Sequence, residues 1–437
     1  MLVRNLYIQD FSLIEGDLYK KLFVVIACII MLYAHIFLQA ESLVTVALIV
    51  GGLIVSVETS VCLYICSIIL QIEYSELHSR LIPIYLVCIL LYVLVKYNIA
   101  KKLSKVFVLC LVFWICSVVS IIFGYKTVMV SSLFVMMQLL LILSVTYFCK
   151  KNSSLFLIGF IVSGLCVFLY TIYLYITGNI AMFGASIVYG DGEEAGQVKS
   201  LAIAAAVPTY YYVYNLFYSK EGIIKKLLYG AIIIAGIIII ILTYSRGVLI
   251  ALAVSSVLLV FYFFKDKYSF IKILITCVVC LVLYRVLLQV DINEDKMFGS
   301  IEGANGRTDI WAYFFSKMQD GGLMRILFGF GPGDSKRITE GSLYSDLYSH
   351  SAILDYFFLY GVCGLVFIGY FLWKTSRNLF RQKNVFALGL FVLTVLMFIT
   401  HGTSSNVIFN SLLSICMGCS LKELQYKYKG DSLTVPK

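Results

Sequence analysis

The sequence predicts an all-α fold, a polytopic transmembrane helical bundle of about 14 spans with one long external loop carrying short helices. Three observations lead there. Of the 437 residues, 61% are hydrophobic and only 13% charged, with a mean hydropathy of +0.95, so the chain's predominant solvent is lipid. Apolar runs of span length recur from Leu22 to Leu421 with short polar interruptions, and in hydrocarbon such runs are stable as helices. The lysines and arginines are clustered in alternate connections: Lys101, Lys102 and Lys105; Lys150 and Lys151; Lys220, Lys225 and Lys226; Lys265, Lys267 and Lys272; Lys374, Arg377, Arg381 and Lys383. That alternation is the signature of cytoplasmic loops. It also explains a net charge of +10 by topology, with no nucleic acid partner.

From a cytoplasmic N-terminus, spans are expected near residues 22–38, 43–57, 60–72, 82–98, 105–123, 127–148, 154–177, 198–218, 227–243, 247–264, 270–290, 351–373, 384–400 and 403–421, which returns the C-terminus to the cytoplasm. The first span follows Lys20 and Lys21 and ends in no small-residue cleavage site, so it is expected to be retained. Residues 43–72 leave a choice between 13 and 14 spans. Glu58 and Thr59 divide two short spans there, whereas one kinked helix would put Lys20 and Lys21 outside; the charge rule favours two spans. The chain reads as a single transmembrane domain over 1–437, with a long external loop at 291–349 and a shorter one at 178–197. Glycine-rich and longer than an idle connection, the long loop is expected to be functional. Within it, "RTDIWAYFFSKM" puts Ile310, Trp311, Phe314, Phe315 and Met318 on one helical face. Such a face suits a helix on the membrane surface or one packed on the bundle top.

The thirteen cysteines imply no structural disulfide. Cys277 with Cys280, and Cys416 with Cys419, have CxxC spacing, but they fall inside spans, where small apolar packing is the better reading.

Three residues stand out as carriers of chemistry. Arg246, in "LTYSRGVLIAL", is a lone guanidinium between two apolar spans at an external turn. It either snorkels to headgroups or meets an anion at the membrane surface. Arg307 opens the predicted loop helix, where its fork suits bidentate phosphate binding; the competing reading is a salt bridge to Asp309. His350, in "LYSHSAILDYFFLYGVCGL", stands where the loop meets a span. An imidazole there can accept a proton from a hydroxyl, or it is a satisfied interfacial residue, the reading kept for His35, His78 and His401. "FGFGPGD", residues 328–334, has the look of a phosphate loop but lacks the GK[ST] ending and reads as a turn. Asp191, Glu193 and Glu194 in "DGEEAGQ" could hold a divalent cation, although a solvated loop suits them better. Arg285, near the external end of the eleventh span, is either an anion contact or a snorkelling residue.

The order of "SRG" at Ser245–Gly247, "GRTDIW" and "LFGFGPG" in a long external loop, and then "HSAILDYFFLYGVCG" resembles the O-antigen polymerase and O-antigen ligase superfamily over about residues 200–400. Asn is frequent in relatives where Ser351 follows His350. The resemblance implies a GT-C-type glycosyltransferase of the bacterial inner membrane with its active site facing the periplasm. Its donor would be an undecaprenyl-diphosphate-linked oligosaccharide, with no metal and no cofactor. The implied roles are His350 as catalytic base at the acceptor hydroxyl and Arg246 and Arg307 as ligands of the donor diphosphate, with Arg285, Lys199 and Asp309 as further candidate substrate contacts. Membrane lipids and a chain-length regulator protein are the other candidate partners. The expected function is a polysaccharide repeat-unit polymerase; the alternatives are a ligase that uses lipid A core as acceptor and a flippase for the same lipid-linked sugar.

Overall fold

The computed structural model describes residues 17–37, 41–70, 76–123, 128–177, 180–183, 186–189, 194–243, 245–263, 307–332, 338, 351–401 and 406–421. The helices are α1 (Leu18–Phe37), α2 (Glu41–Val55), α3 (Val57–Ile69), α4 (Glu76–Lys96), α5 (Ile99–Lys102), α6 (Ser104–Phe123), α7 (Val128–Ile176), α8 (Val198–Tyr218), α9 (Ile223–Leu242), α10 (Arg246–Phe263), α11 (Arg307–Asp320), α12 (Gly322–Phe328), α13 (Ala352–Gln382), α14 (Val385–His401) and α15 (Val407–Ser420). Among the described residues, five helical stretches are long and apolar enough to cross a membrane unaided: 18–37, 104–122, 131–173, 223–242 and 352–382. Thirteen of the fourteen predicted spans coincide with these helices, α7 supplying two; the span at 270–290 lies outside the described residues. One addition stands where the sequence predicts only a polar loop. Strands β1 (Ile180–Phe183), β2 (Ser186–Tyr189) and β3 (Glu194–Gln197) form an antiparallel sheet in the order β1-β2-β3.

Two breaks, the disputed one near residue 56 and the predicted one between residues 148 and 154, have local causes. Ser56 is extended (φ −174, ψ 159), and its side chain caps α3 by accepting from the Thr59 N–H, as an N-cap serine does. The Ser60 hydroxyl donates to the Ile49 carbonyl at 2.6 Å, and Gly52 lets the Ser60 backbone approach to 3.1 Å of where a Cβ would stand. So α2 and α3 fold back on each other as two helices. Asn152 breaks α7 (φ −142, ψ 83). Phe148 and Phe156 would lie about 12 Å apart along an unbroken helix; their rings stack with centroids 6.3 Å apart, so the chain reverses there too.

Named contacts sort the helix ends into two sides. Lys20 at the start of α1 pairs with Glu58 at the start of α3 at 2.6 Å. One turn further on, the Cys62 thiol reaches the Leu155 carbonyl at 3.7 Å, just past the Asn152 break. Lys102 donates to the Tyr147 hydroxyl at 3.4 Å, and Gly418, near the end of α15, packs on Thr146 and Cys149. At the end of α13, Gln382 donates to the Ser420 carbonyl, and α13 runs directly into α14, whose Phe386 carbonyl accepts from Tyr210 of α8 at 3.0 Å. Tyr218 closes α8 onto the Leu259 carbonyl near the end of α10 at 3.3 Å. Lys20, Lys102, Lys150, Lys151, both ends of the helical array and the ends of α8, α10, α13 and α15 therefore share a side. The starts of α8, α10, α13 and α15, and the end of α6, share the other. This pairing of Lys20 with Glu58 takes the two-span reading of residues 43–72.

The core runs the length of the bundle, built from apolar residues with buried hydroxyls turned onto their own helix: Ser117, Ser144, Ser163, Thr171, Thr209, Ser255, Thr394 and Ser414 each donate to the carbonyl four residues back. Without water, that is how such a group is satisfied. Cys416 and Cys419 are buried and in no disulfide, in keeping with the packing reading; Cys277 and Cys280 lie outside the described residues.

Candidate active site

The long loop is tied to the bundle through a break in α13. That helix unwinds at Gly361, whose φ of 64 and ψ of −153 suit glycine. In an unbroken helix the carbonyls of Phe358 and Leu359 would accept from residues 362 and 363. Here they accept from the backbone N–H groups of Phe330 and Gly331, each at 2.9 Å. The inserted segment needs glycine as well: Gly329 and Gly331 have φ of 75 and 96, and a Cβ on Gly329 would overlap the Leu359 carbonyl. On its other flank the Ser120 hydroxyl, at the end of α6, donates to the Phe328 carbonyl, and the Arg325 guanidinium lies 4.5 Å over the Phe330 ring. "FGFGPGD" is thus neither a phosphate loop nor a simple turn. Two of the N–H groups a phosphate would need are engaged by α13.

Helix α11 is pinned just above this latch. Ile310, Phe314 and Met318 are buried at 4%, 0% and 1% exposure, while Phe315 is 42% exposed. Phe314 stacks on Phe358 with centroids 4.6 Å apart. Of the two readings of this helix, the structure takes packing on the bundle, with a face narrower than the five residues of the sequence pattern.

The predicted site residues are helix openers. Arg246 is the first residue of α10 and Arg307 the first of α11; Lys199 and Asp309 are the second of α8 and the third of α11. Backbones are described at these four positions and side chains are not. His350 lies outside the described residues but is bonded to Ser351, the N-cap of α13 (φ −144, ψ 113). The starts of α8, α10 and α13 share the side opposite Lys20, Lys102 and Lys151. Packing and the latch bring α11 and the segment after α12 against Phe357, Phe358 and Leu359 in the second turn of α13. Whether the guanidinium groups and the imidazole converge falls outside the described residues, as do Arg285, Asp191 and Glu193 and the side chains of Glu194, His78 and His401. His35 packs edge-on against Tyr170 at 5.8 Å, with its Nδ1 unpartnered.

Beneath the start of α13 lies a polar cluster that the sequence reading passed over. The Tyr356 hydroxyl is 3.5 Å from Asn410 Oδ1, and the Asn410 amide donates to Gln138 Oε1, joining α13, α15 and α7. Tyr356 is 4%, Asn410 1% and Gln138 7% exposed. A cavity of about 20 Å³ adjoins them, lined by Phe113, Phe134, Val135, Gln138, Leu139, Ile142, Tyr356 and Tyr360; one water would fill it. Asp355 is 2% exposed, the one carboxylate buried among the described residues. The signal that could have found these residues is simple: each is a polar or ionisable group inside an apolar span, and such groups mark function more often than chance.

Residues 231–369, from α9 to just past the Gly361 break, match the O-antigen ligase family model. That match supports the likeness of this segment to the O-antigen polymerase and ligase superfamily. No curated protein matches the chain. The matched stretch contains Arg246, Arg307, His350 and both partners of the latch. Members of the family are glycosyltransferase-like or ligase enzymes, and the helical bundle is that of a multi-pass membrane protein.

Proposed function

We propose that the chain is a polysaccharide polymerase, of the O-antigen or capsule type, that transfers a growing glycan from undecaprenyl diphosphate onto a lipid-linked repeat unit. The observation that carries this reading is the family match over the one segment that holds Arg246, Arg307 and His350. Sidedness supports it: the starts of α10 and α13 lie opposite the lysine-bearing ends, so by the positive-inside rule they face the periplasm of the inner membrane. The acceptor hydroxyl attacks the anomeric carbon of the donor sugar, and the bond from that carbon to the diphosphate oxygen breaks. His350 takes the hydroxyl proton and passes it to water. Undecaprenyl diphosphate leaves with negative charge growing on its oxygens, where Arg246 and Arg307 hold it and the positive helix starts beneath them add to the effect. Two guanidinium groups supply the charge a metal would otherwise bring, so the reaction needs neither metal nor cofactor.

A ligase using lipid A core is the second reading, favoured by the description of the matched family. Purified protein given a lipid-linked repeat as its sole substrate separates them. Elongation is the expected result; transfer only after a core acceptor is added makes it a ligase, and movement of lipid-linked sugar across a vesicle with no transfer makes it a flippase. If the arginines act as forks, Arg246→Lys and Arg307→Lys should each lower kcat/KM for the donor by about a hundredfold, since one ammonium cannot replace a bidentate pair. Steady-state kinetics with a varied donor concentration would expose a tolerant site, which would leave snorkelling as the role of Arg246.

A further inference from the structure

We propose that Lys96, Lys102 and Lys151 form a headgroup site for an anionic phospholipid on the lysine-bearing side of the bundle, in the leaflet that the positive-inside rule makes cytoplasmic. The inference stands on the opposite side from the proposed reaction and does not depend on it. Three elements bring the ammonium groups together: Lys96 ends α4, Lys102 ends α5, and Lys151 lies beside the Asn152 break in α7. What gathers them is a pair of tyrosines. Tyr97 and Tyr147 have ring centroids 5.8 Å apart, and Tyr97 also packs edge-on against Phe148 at 5.6 Å. Lys96 Nζ lies 5.0 Å from the Tyr92 centroid and 5.8 Å from that of Tyr97. Lys102 and Lys151 share Tyr147, at 5.5 and 5.0 Å from its centroid, and the Lys102 ammonium also donates to the Tyr147 hydroxyl at 3.4 Å.

Topology alone puts lysines on this side, but it does not require them to converge. Elsewhere on the same side lysines meet acids: Lys20 pairs with Asp17 and Glu58, and Lys225 with Glu221. No ion pair among the described residues reaches Lys96, Lys102 or Lys151. Glu58, whose charge acts on Lys96, is held by Lys20 at 2.6 Å. A ring attracts each cation only weakly at an exposed site, so the repulsion between two ammonium groups on one tyrosine favours an anion placed between them. A phosphodiester meets that need. It brings one negative charge and oxygens that accept from several donors, and lysine stems are flexible enough to close on it. The bilayer is its source, because the site borders lipid-facing surface. Leu91 and Val95, within two turns of the end of α4, are exposed apolar residues, as are Val108 and Leu111 on α6, the helix that follows α5. A phospholipid whose phosphate sits among the lysines lays its acyl chains along those faces.

Lipid-stripped full-length protein in a neutral maltoside detergent tests this by native mass spectrometry, titrated with phosphatidylglycerol or with phosphatidylcholine of the same chains. The wild type should bind phosphatidylglycerol about tenfold more tightly or better. Lys96→Gln, Lys102→Gln and Lys151→Gln should each weaken that binding about fivefold, the share of one lysine near an anionic surface, and leave phosphatidylcholine binding as it was. The combined change Lys220→Gln, Lys225→Gln and Lys226→Gln removes charge from the same side away from the tyrosines and should have no effect. Equal affinity for the two lipids overturns the proposal. So does an equal loss in the Lys220, Lys225 and Lys226 control, which would make the attraction a matter of net charge. Inorganic phosphate that displaces phosphatidylglycerol at millimolar concentration would assign the lysines to a soluble anion and remove the lipid as occupant. Each single change keeps most of the charge that sets topology. Should one not insert, Tyr147→Leu keeps every lysine, removes the ring that two of them share, and should likewise weaken phosphatidylglycerol binding; full affinity in that variant overturns the proposal as well.

Discussion

His350→Ala is expected to lower glycan elongation by about a hundred- to ten-thousandfold, the usual contribution of a positioned general base, while labelled lipid-linked donor binds as before. The two outcomes come apart because they draw on different groups. Donor affinity is assigned to Arg246 and Arg307, which open α10 and α11, and neither belongs to the helix that His350 precedes. The alanine removes a side chain two residues before α13, ahead of the Ser351 N-cap, so the helix, its break at Gly361 and the loop docked into that break have no cause to move. Steady-state turnover measured beside equilibrium donor binding checks both halves. Synthesis at the wild-type rate would remove His350 from the chemistry and leave it as an interfacial histidine. A matching loss of donor binding would make it a ligand of the diphosphate instead.

Much of the fold was legible because its cause is local. An apolar run reports a helix wherever the backbone has no other hydrogen-bond partner, and the clusters such as Lys101–Lys102 and Lys150–Lys151 report the side to which the runs return. Even the disputed pair at 43–72 could be reached from sequence through Ser56, a serine before an acid, which is a helix start by composition. The three-stranded sheet at 180–197 was not legible, since four-residue strands in a glycine-bearing polar stretch carry little periodicity. Nor was the latch. Gly361 and Gly364 lie inside an apolar span with nothing in their spacing to mark a break; only the docking of Phe330 and Gly331, some thirty residues upstream, shows that one of them marks a broken helix. Such long-range backbone pairing leaves no trace in residue spacing. The candidate site was legible to the extent that single charges in apolar surroundings are conspicuous, which served for Arg246. The same rule applied to the twelfth span would have singled out Asp355.

Among the described glycines of the loop, Gly329→Ala should be the most damaging change, destabilising the docked state by about 2 to 5 kcal/mol through backbone strain and overpacking together. At φ 75 and ψ −162 the residue occupies a region that is essentially reserved for glycine. The added methyl also overlaps the carbonyl of Leu359 and the N–H of Tyr360, and backbone, unlike the tip of a long side chain, cannot swing aside. The least costly escape is to withdraw the loop from the α13 break, which strands the Phe358 and Leu359 carbonyls that now accept at 2.9 Å. Gly322→Ala is the control. Its φ is 69, yet nothing lies within 4 Å of the new methyl, so it carries the conformational strain without the collision and should cost about 1 kcal/mol. Limited proteolysis of the loop, followed beside elongation, reads the difference: rapid cleavage near Phe330 and a fall in turnover for Gly329→Ala, and near-native behaviour for Gly322→Ala. Equal resistance in the two variants would mean that the docked segment does not hold α11 in place, and that whatever sets the position of Arg307 lies elsewhere in the loop.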